Sequence, residues 1–220
     1  KDLCTLIPEQ KGEAAHILTH LHKSAGKRVR PCLYFLICKL VGYQGPDKTP
    51  MACVGEYVHE ASLLHDDVVD NSTLRRNKPT CNSIWGDEAA VLMGDLIYAR
   101  ASEIMAKTGK SEIVELFARA IRKMSEGELL QLQHVGNISL TKELYLEILY
   151  DKTGALMGAV CKSPAILANT HKKQQEVLEV FGSNLGIAFQ LIDDALDYSG
   201  KDKLFGKKNY ADLAQGRVTL

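Results

Sequence analysis

The sequence carries no net charge: 27 Lys and Arg are matched by 27 Asp and Glu, and the pI is near 7.2. Without a basic excess there is no electrostatic case for nucleic acid, which is held by cationic faces that replace counterions. Long apolar runs are missing too. The longest, Leu33 to Cys38, is cut by Lys39, far short of the ~18 residues a bilayer span needs. The six cysteines (4, 32, 38, 53, 81 and 161) form no CxxC pair and no zinc-like Cys/His spacing. Several sit in apolar helical runs, where a thiol serves as a small hydrophobe, so a reducing compartment is expected. No signal peptide opens the chain, and its start at Lys1 is compatible with a removed upstream segment. What is present is 45% hydrophobic and 25% charged residues over 220 positions, enough for one large domain with a buried core.

The periodicity is helical almost throughout. Pro31 suits the first position of a helix whose apolar run ends at Gly42, and Thr49-Pro50 reads as an N-cap followed by a first helical residue. From there Met51, Val54, Val58 and Ala61 recur at three- and four-residue spacing into the Asp66 region. Asn77-Lys78-Pro79 reads as a loop. Further helices are expected over 87–107, 112–135, 142–162 and 174–198, with Ser111 and Thr141 as N-caps and a break or bend at Pro164. No segment alternates long enough to predict a strand, and no repeat or linker divides the chain. The expectation is one all-α domain.

Within this pattern stand two copies of one acidic motif. Asp66-Asp67-Val68-Val69-Asp70 and Asp193-Asp194-Ala195-Leu196-Asp197 are both DDxxD. With 13 Asp in the chain, random placement gives only roughly 0.04 copies. On a helix, residues i, i+1 and i+4 fall within an arc of about 100°, so each triplet aims its carboxylates one way. Three like charges on one patch repel, and a divalent cation removes the conflict. Carboxylate oxygens, with water and substrate phosphate completing the shell, describe Mg²⁺ coordination. His59 shares a helical stripe with Asp66 and Asp70, and Gln190 with Asp197 and Asp193 or Asp194. Basic residues (Lys27, Arg28, Arg30, Arg75, Arg76, Lys152, Lys207, Lys208, Arg217) suit two anion sites, one bridged by metal and one held by Arg and Lys alone.

Several segments together resemble the trans-isoprenyl diphosphate synthases, the head-to-tail polyprenyl synthases. They are Gly26-Lys27-Arg28-Val29-Arg30-Pro31; Leu63 to Asp70 followed by Leu74-Arg75-Arg76-Asn77-Lys78-Pro79-Thr80; Gly94-Asp95; Glu126-Gly127-Glu128; Lys152-Thr153; and Phe189 to Tyr198. The resemblance implies an all-α, isoprenoid-synthase-like barrel of antiparallel helices around a central cavity, as a homodimer. It implies that Asp66, Asp67, Asp70, Asp193, Asp194 and Asp197 hold Mg²⁺, about three ions per active site. Arg75, Lys152, Thr153, Gln190 and Lys207 would contact the allylic prenyl diphosphate. Lys27, Arg30, His59 and Arg76 would hold isopentenyl diphosphate without metal. Asp66, Asp67, Asp70, Lys152, Asp193 and Asp194 would carry the ionisation and condensation, in which neutralising the departing diphosphate lowers the barrier. The resemblance further implies a single synthase domain over 1–220 lacking its C-terminal helices, placed in the cytoplasm or, after loss of a transit segment, in an organelle.

By the same resemblance, in which bulky aromatics four or five residues before the first Asp close the tail pocket, small residues at Ala61 and Ser62, with Val58 a turn below, imply an open pocket and a long product of the octaprenyl type; a floor from Tyr98, Met105 or Met157 is the alternative. Gly154 follows Lys152-Thr153 where the family commonly has Ala, Tyr210 stands at a position often Gly, and Arg217 replaces a common Lys. Three other readings compete. An HD-type metal phosphohydrolase would use His65-Asp66 but leaves the second DDxxD unexplained. A terpene cyclase normally carries an Asn/Ser/Glu motif in place of Asp193-Asp194. A non-catalytic subunit of a hetero-oligomeric synthase tends to lose one aspartate cluster, and here both are intact.

Overall fold

The computed structural model describes residues 11–23, 26–198, 211–214 and 216–219, and these are almost wholly helical. In order run α1 (Glu13–Lys23), α2 (Val29–Leu40), α3 (Lys48–Val69), β1 (Leu74–Arg75), β2 (Lys78–Pro79), α4 (Cys81–Trp85), α5 (Asp87–Lys107) and α6 (Ser111–Gln133). Then come α7 (Lys142–Leu149), a π-helical turn (Tyr150–Gly154), α8 (Ala155–Leu167), α9 (Lys172–Asp197) and the short α10 (Ala211–Ala214). They gather into two compact units. One comprises the described residues up to Leu36 with Gln44–Ser111, the other Ile37–Tyr43 with those from Glu112 onward. Among the described residues no helix is long and apolar enough to cross a membrane.

The first unit is organised by α3 against α5. Met51, Val54, Val58, Ala61 and Leu64 are buried from α3, and Ala90, Met93, Ile97, Ala101 and Ile104 from α5. Each larger side chain so buried is worth about 1.5–3 kcal/mol of transfer free energy. Gly94 lets the helices close: a Cβ there would lie 2.3 Å from His65 Nε2. His65 Nε2 is instead 3.1 Å from the Val91 carbonyl oxygen and 3.5 Å from Asp95 Oδ1. The sequence motif Gly94-Asp95 thus seats His65.

Two helix starts differ from expectation. Helix α3 begins at Lys48 with Asp47 as its N-cap, which puts Pro50 inside the first turn, where no intrahelical partner is needed for its missing N–H. Helix α2 begins at Val29, with Pro31 two positions further in for the same reason. The stretch read as a loop after Asn77 belongs to a small antiparallel hairpin, with Leu74 opposite Pro79 and Arg75 opposite Lys78. Its two-residue turn, Arg76-Asn77, has φ of 53° and 60°. Positive φ at both central residues is the type I′ geometry that matches strand twist. Asparagine tolerates it well; arginine does so at a cost.

In the second unit α8 and α9 cross through glycine. A Cβ on Gly186 would lie 2.9 Å from Gly154 Cα, one on Gly158 2.4 Å from Ser183 Oγ, and one on Gly182 2.4 Å from the Met157 carbonyl oxygen. Thr141 caps α7 as expected, its hydroxyl accepting from the Leu144 N–H at 3.3 Å. Pro164 does not break the helix: α8 runs on to Leu167. A proline there leaves the Val160 carbonyl without its helical donor, and the Ser163 hydroxyl donates to that carbonyl at 3.2 Å. Cys81 and Cys161 are buried, and burial pushes their thiols up to about 11 and about 12, as befits small core hydrophobes.

Candidate active site

In the first unit α3 presents two polar stripes. At 100° per residue, His59, Asp66 and Asp70 share one, and Glu56, Glu60 and Asp67 share another roughly 80° round the helix. Each carboxylate of the second stripe faces an arginine. Glu56, 3% exposed, accepts from Arg28 Nη1 at 2.9 Å. Glu60 Oε1 lies 4.0 Å from Arg76 Nη1. Asp67 accepts from Arg75 through Nε at 2.9 Å and Nη2 at 2.8 Å, both on Oδ1. A cavity of about 30 Å³ lies along this stripe, lined by Glu60, Asp67, Arg75 and Arg76 with His20 of α1 and Thr80.

Arg30, His59 and Arg76, expected together, are within electrostatic reach of one another. Burial first, then Arg30, Arg76 and Arg75, hold the His59 imidazole well below its usual range, so it stays neutral near pH 7. Burial also lowers Arg30, against the pull of Glu56 and Glu60, and its Nε is buried without a hydrogen bond among the described residues. Gly26 closes over the cluster: a Cβ there would meet Arg76 Nη2 at 2.7 Å. Lys27 is exposed beside it. Glu56 and Glu60 were not singled out in the sequence, although two acids four residues apart in an apolar helix are a signal of buried pairing.

Asp66 and Asp70 are part-exposed, while Asp67 is buried. Burial raises Asp67 and the Arg75 hydrogen bond pulls it back. Val58 and Ala61 have no exposed surface, and Ser62 is part-exposed, its hydroxyl donating to the His59 carbonyl at 2.9 Å. The Tyr98 ring rests on His65, its centroid 5.8 Å away. Burial, then Asp66 and Asp95, push its hydroxyl up to about 12.

In the second unit the π-helical turn carries Lys152 and Thr153. A π turn is a rare geometry found often at functional positions. Lys152 Nζ donates to Gln131 Oε1 at 2.5 Å and pairs with Glu128 Oε1 at 2.7 Å. The Thr153 hydroxyl donates to Gln190 Oε1 at 3.3 Å, and Gln190 Nε2 donates to Asp194 Oδ1 at 2.8 Å. Tyr145 OH donates to the other oxygen, Asp194 Oδ2. Beneath the turn the buried Asp151 lies 3.3 Å from Lys123 Nζ, and Gly127 leaves room for it, a Cβ there falling 2.8 Å from Asp151 Cβ. Tyr145 and Gln131 were missed, since neither belongs to a motif. Asp193 and Asp197 are part-exposed while Asp194 is buried, so both DDxxD motifs divide alike: the middle acid is held by protein donors, the outer two face outward. Lys207 lies outside the described residues.

Among the described residues no three His, Cys, Asp or Glu side chains are gathered as a ready-made metal cage. Two outward carboxylates per motif, four residues apart on a helix, fit Mg²⁺, which habitually takes one or two carboxylates and fills its shell with water and phosphate oxygens.

Comparison with known proteins identifies the family. The polyprenyl synthetase family model matches residues 12–220. Octaprenyl diphosphate synthase of Escherichia coli K12 is 40% identical over 201 residues, which cover 91% of this chain and 62% of that protein. This chain therefore spans about three fifths of the length of that relative. Among solved structures, a decaprenyl diphosphate synthase from Rhodobacter capsulatus superposes with a TM-score of 0.90 at 38% identity, covering 99% of this chain and 67% of the other. A polyprenyl synthase from Caulobacter crescentus CB15, complexed with calcium and isoprenyl diphosphate, superposes at 0.91 with 39% identity, over 99% and 66%. The fold is thus the all-α isoprenoid synthase fold, and the chain belongs to the polyprenyl synthetase family.

Proposed function

We propose that this protein is a trans-polyprenyl diphosphate synthase, joining isopentenyl diphosphate to an allylic prenyl diphosphate by ionisation, condensation and loss of a proton. The observation that carries this reading is the pair of stripes on α3. Helix α3 offers outward carboxylates at Asp66 and Asp70, and against its second stripe stand Arg28, Arg30 and Arg76 with the neutral His59 among them, a cationic group that needs no metal. Such an arrangement suits two diphosphates held in different ways. The octaprenyl and decaprenyl synthases among the relatives support the same reading.

In this mechanism Asp66 and Asp70 would hold Mg²⁺ on α3, and Asp193 and Asp197 would hold it on α9, the family resemblance implying about three ions. Bound Mg²⁺ supplies charge that stabilises the departing diphosphate. Asp67 and Asp194 complete the motifs from behind, Asp67 by fixing Arg75 and Asp194 by fixing Gln190. Arg75, Lys152, Thr153, Gln190 and Lys207 orient the allylic diphosphate, while Lys27, Arg30, His59 and Arg76 orient isopentenyl diphosphate for in-line attack. Neutral His59 serves as a hydrogen-bond partner rather than a charge. No side-chain nucleophile takes part. Small side chains at Ala61 and Ser62, with Val58 a turn below, favour a long product once the closed packing at Val58 and Ala61 parts for the tail, and the chain acts as one domain, as a homodimer in the cytoplasm.

Incubation with labelled isopentenyl diphosphate and farnesyl diphosphate, in Mg²⁺ or in EDTA, tests this. A Mg²⁺-dependent ladder extending beyond geranylgeranyl is expected. A ladder that stops at geranylgeranyl removes the open-pocket reading, and no product from the full-length protein removes the enzyme.

A further inference from the structure

The first unit holds a carboxylate that the proposed chemistry does not use. Glu60 sits among the groups proposed for the metal-free diphosphate, 4.0 Å from Arg76 Nη1, with its side chain 16% exposed. Its Oε1 is buried and makes no hydrogen bond among the described residues. One turn earlier on the same stripe, Glu56 behaves differently, bonded to Arg28 at 2.9 Å. The two acids therefore do different work. Glu56 anchors the Gly26–Pro31 segment through Arg28 and so positions Lys27 and Arg30, which flank that residue. Glu60 Oε1 meets Arg76 only as a long ion pair and not through a hydrogen bond, so what it contributes to the site is chiefly negative charge.

Resting on the synthase reading, we propose that Glu60 weakens the metal-free diphosphate site by like-charge repulsion, so that a lengthened chain, still carrying the diphosphate that entered as isopentenyl diphosphate, leaves that site after each condensation. The chemistry requires such a departure. The bond forms between the allylic carbon and the alkene of isopentenyl diphosphate, the allylic diphosphate departs with the bonding electron pair, and the proton lost from the new cation passes to that released diphosphate. The product's own diphosphate therefore remains in the metal-free site. A second elongation can begin only when that diphosphate has moved to where it can ionise. A cluster of three arginines without a counter-charge would hold it tightly. Burial first, then Glu56, raise the Glu60 carboxyl above its usual range, and Arg76, Arg28 and Arg30 oppose that rise.

The test uses inorganic diphosphate in EDTA, where metal-bridged binding is absent, and reads affinity by calorimetry. Glu60→Gln keeps the shape and removes the charge. It is expected to bind diphosphate about ten-fold more tightly than the unaltered protein, the scale of one unit charge at close range in a part-buried site. Glu56→Gln is expected to bind more weakly, since it releases Arg28. Affinity unchanged or reduced in Glu60→Gln overturns the proposal; loss of a merely structural Glu60 lowers the melting temperature without tightening diphosphate. Where Glu60→Gln does not fold, Glu60→Thr gives the same reading with a smaller neutral group. In the ladder assay Glu60→Gln is expected to lower KM for isopentenyl diphosphate and to shorten the chains. Chains of unaltered length with unaltered KM overturn the role in departure. A protein that yields no prenyl product at all but shows the calorimetric shift refutes the synthase reading and leaves the charge effect of Glu60 standing.

Discussion

Replacing Gly186 by alanine opposes two free energies of known sign. In a helix interior Gly→Ala stabilises by about 1 kcal/mol through backbone entropy, and nothing else would enter were the site open. The site is closed: the new methyl carbon would lie 2.9 Å from Gly154 Cα and 3.0 Å from the Thr153 carbonyl oxygen, both backbone atoms that no rotamer change can move. Carbon pairs rest at about 3.5–4.0 Å, so α9 must retreat by roughly 0.6–1 Å. Overpacking of this kind costs about 1–3 kcal/mol, and the retreat also stretches Thr153–Gln190, already 3.3 Å long. Set against the helix-propensity gain, the net is a loss of up to about 2 kcal/mol, which for a domain of this size lowers the melting temperature by up to about 8 °C. The assay is thermal unfolding by circular dichroism, paired with KM for the allylic substrate, which is expected to rise several-fold as Gln190 parts from Thr153. A Gly186→Ala protein that melts higher than the parent, with KM unchanged, would refute the claim that α9 meets the π-helical turn backbone to backbone.

Arg75→Met is expected to destabilise the protein by about 1.5–3 kcal/mol, discounted for the part-exposed guanidinium, because it strands the buried Asp67 carboxylate. Denaturant titration shows it, and adding Asp67→Asn should recover part of the loss. His59→Gln probes pH. The native imidazole is held well below 6.5, so on acidification through that value the unfolded chain binds a proton the native state refuses, and stability falls. Unfolding at pH 7.5 and 5.5 should show a smaller drop in the variant than in the parent; an equal drop assigns the effect elsewhere. Tyr145→Phe removes one of two donors to the buried Asp194. A loss of about 1–2 kcal/mol is expected, with a changed Mg²⁺ requirement in the condensation assay. An unchanged requirement would mean that Asp194 does not influence its outward neighbours.

The helices and both aspartate motifs were legible because their signals are local: three- and four-residue apolar spacing, and carboxylates too dense for chance. What escaped depends on partners far along the chain. Glu56 meets Arg28 and Glu60 meets Arg76 only once α3 has packed, and pairings across 28 and 16 positions leave no periodic trace. At Pro164 the helix continues where a break was one of the two expectations, for a related reason. Proline penalises a helix locally, but the neighbouring Ser163 supplies the missing donor, and that compensation becomes visible only in three dimensions. The hairpin at Arg76-Asn77 lacks the usual Gly, so its turn is written weakly. The division of each DDxxD into one inward and two outward acids also needed burial to be seen.

The widened turn at Tyr150–Gly154 is, in effect, an insertion that was kept. Tyr145 and Gly154 both meet α9, the first through Asp194 and the second against Ser183 and Ile187. In an unbroken α-helix residues nine apart lie about 180° apart, on opposite sides. One surplus residue takes up roughly 100° of that difference and leaves them about 80° apart, both on the half of the helix that meets the same neighbour. Removing any single residue from 150–154 would therefore give a more regular helix and a worse protein, since either Tyr145 or the glycine seam would turn away from α9. An alignment across relatives should tolerate substitution here far better than a change in length.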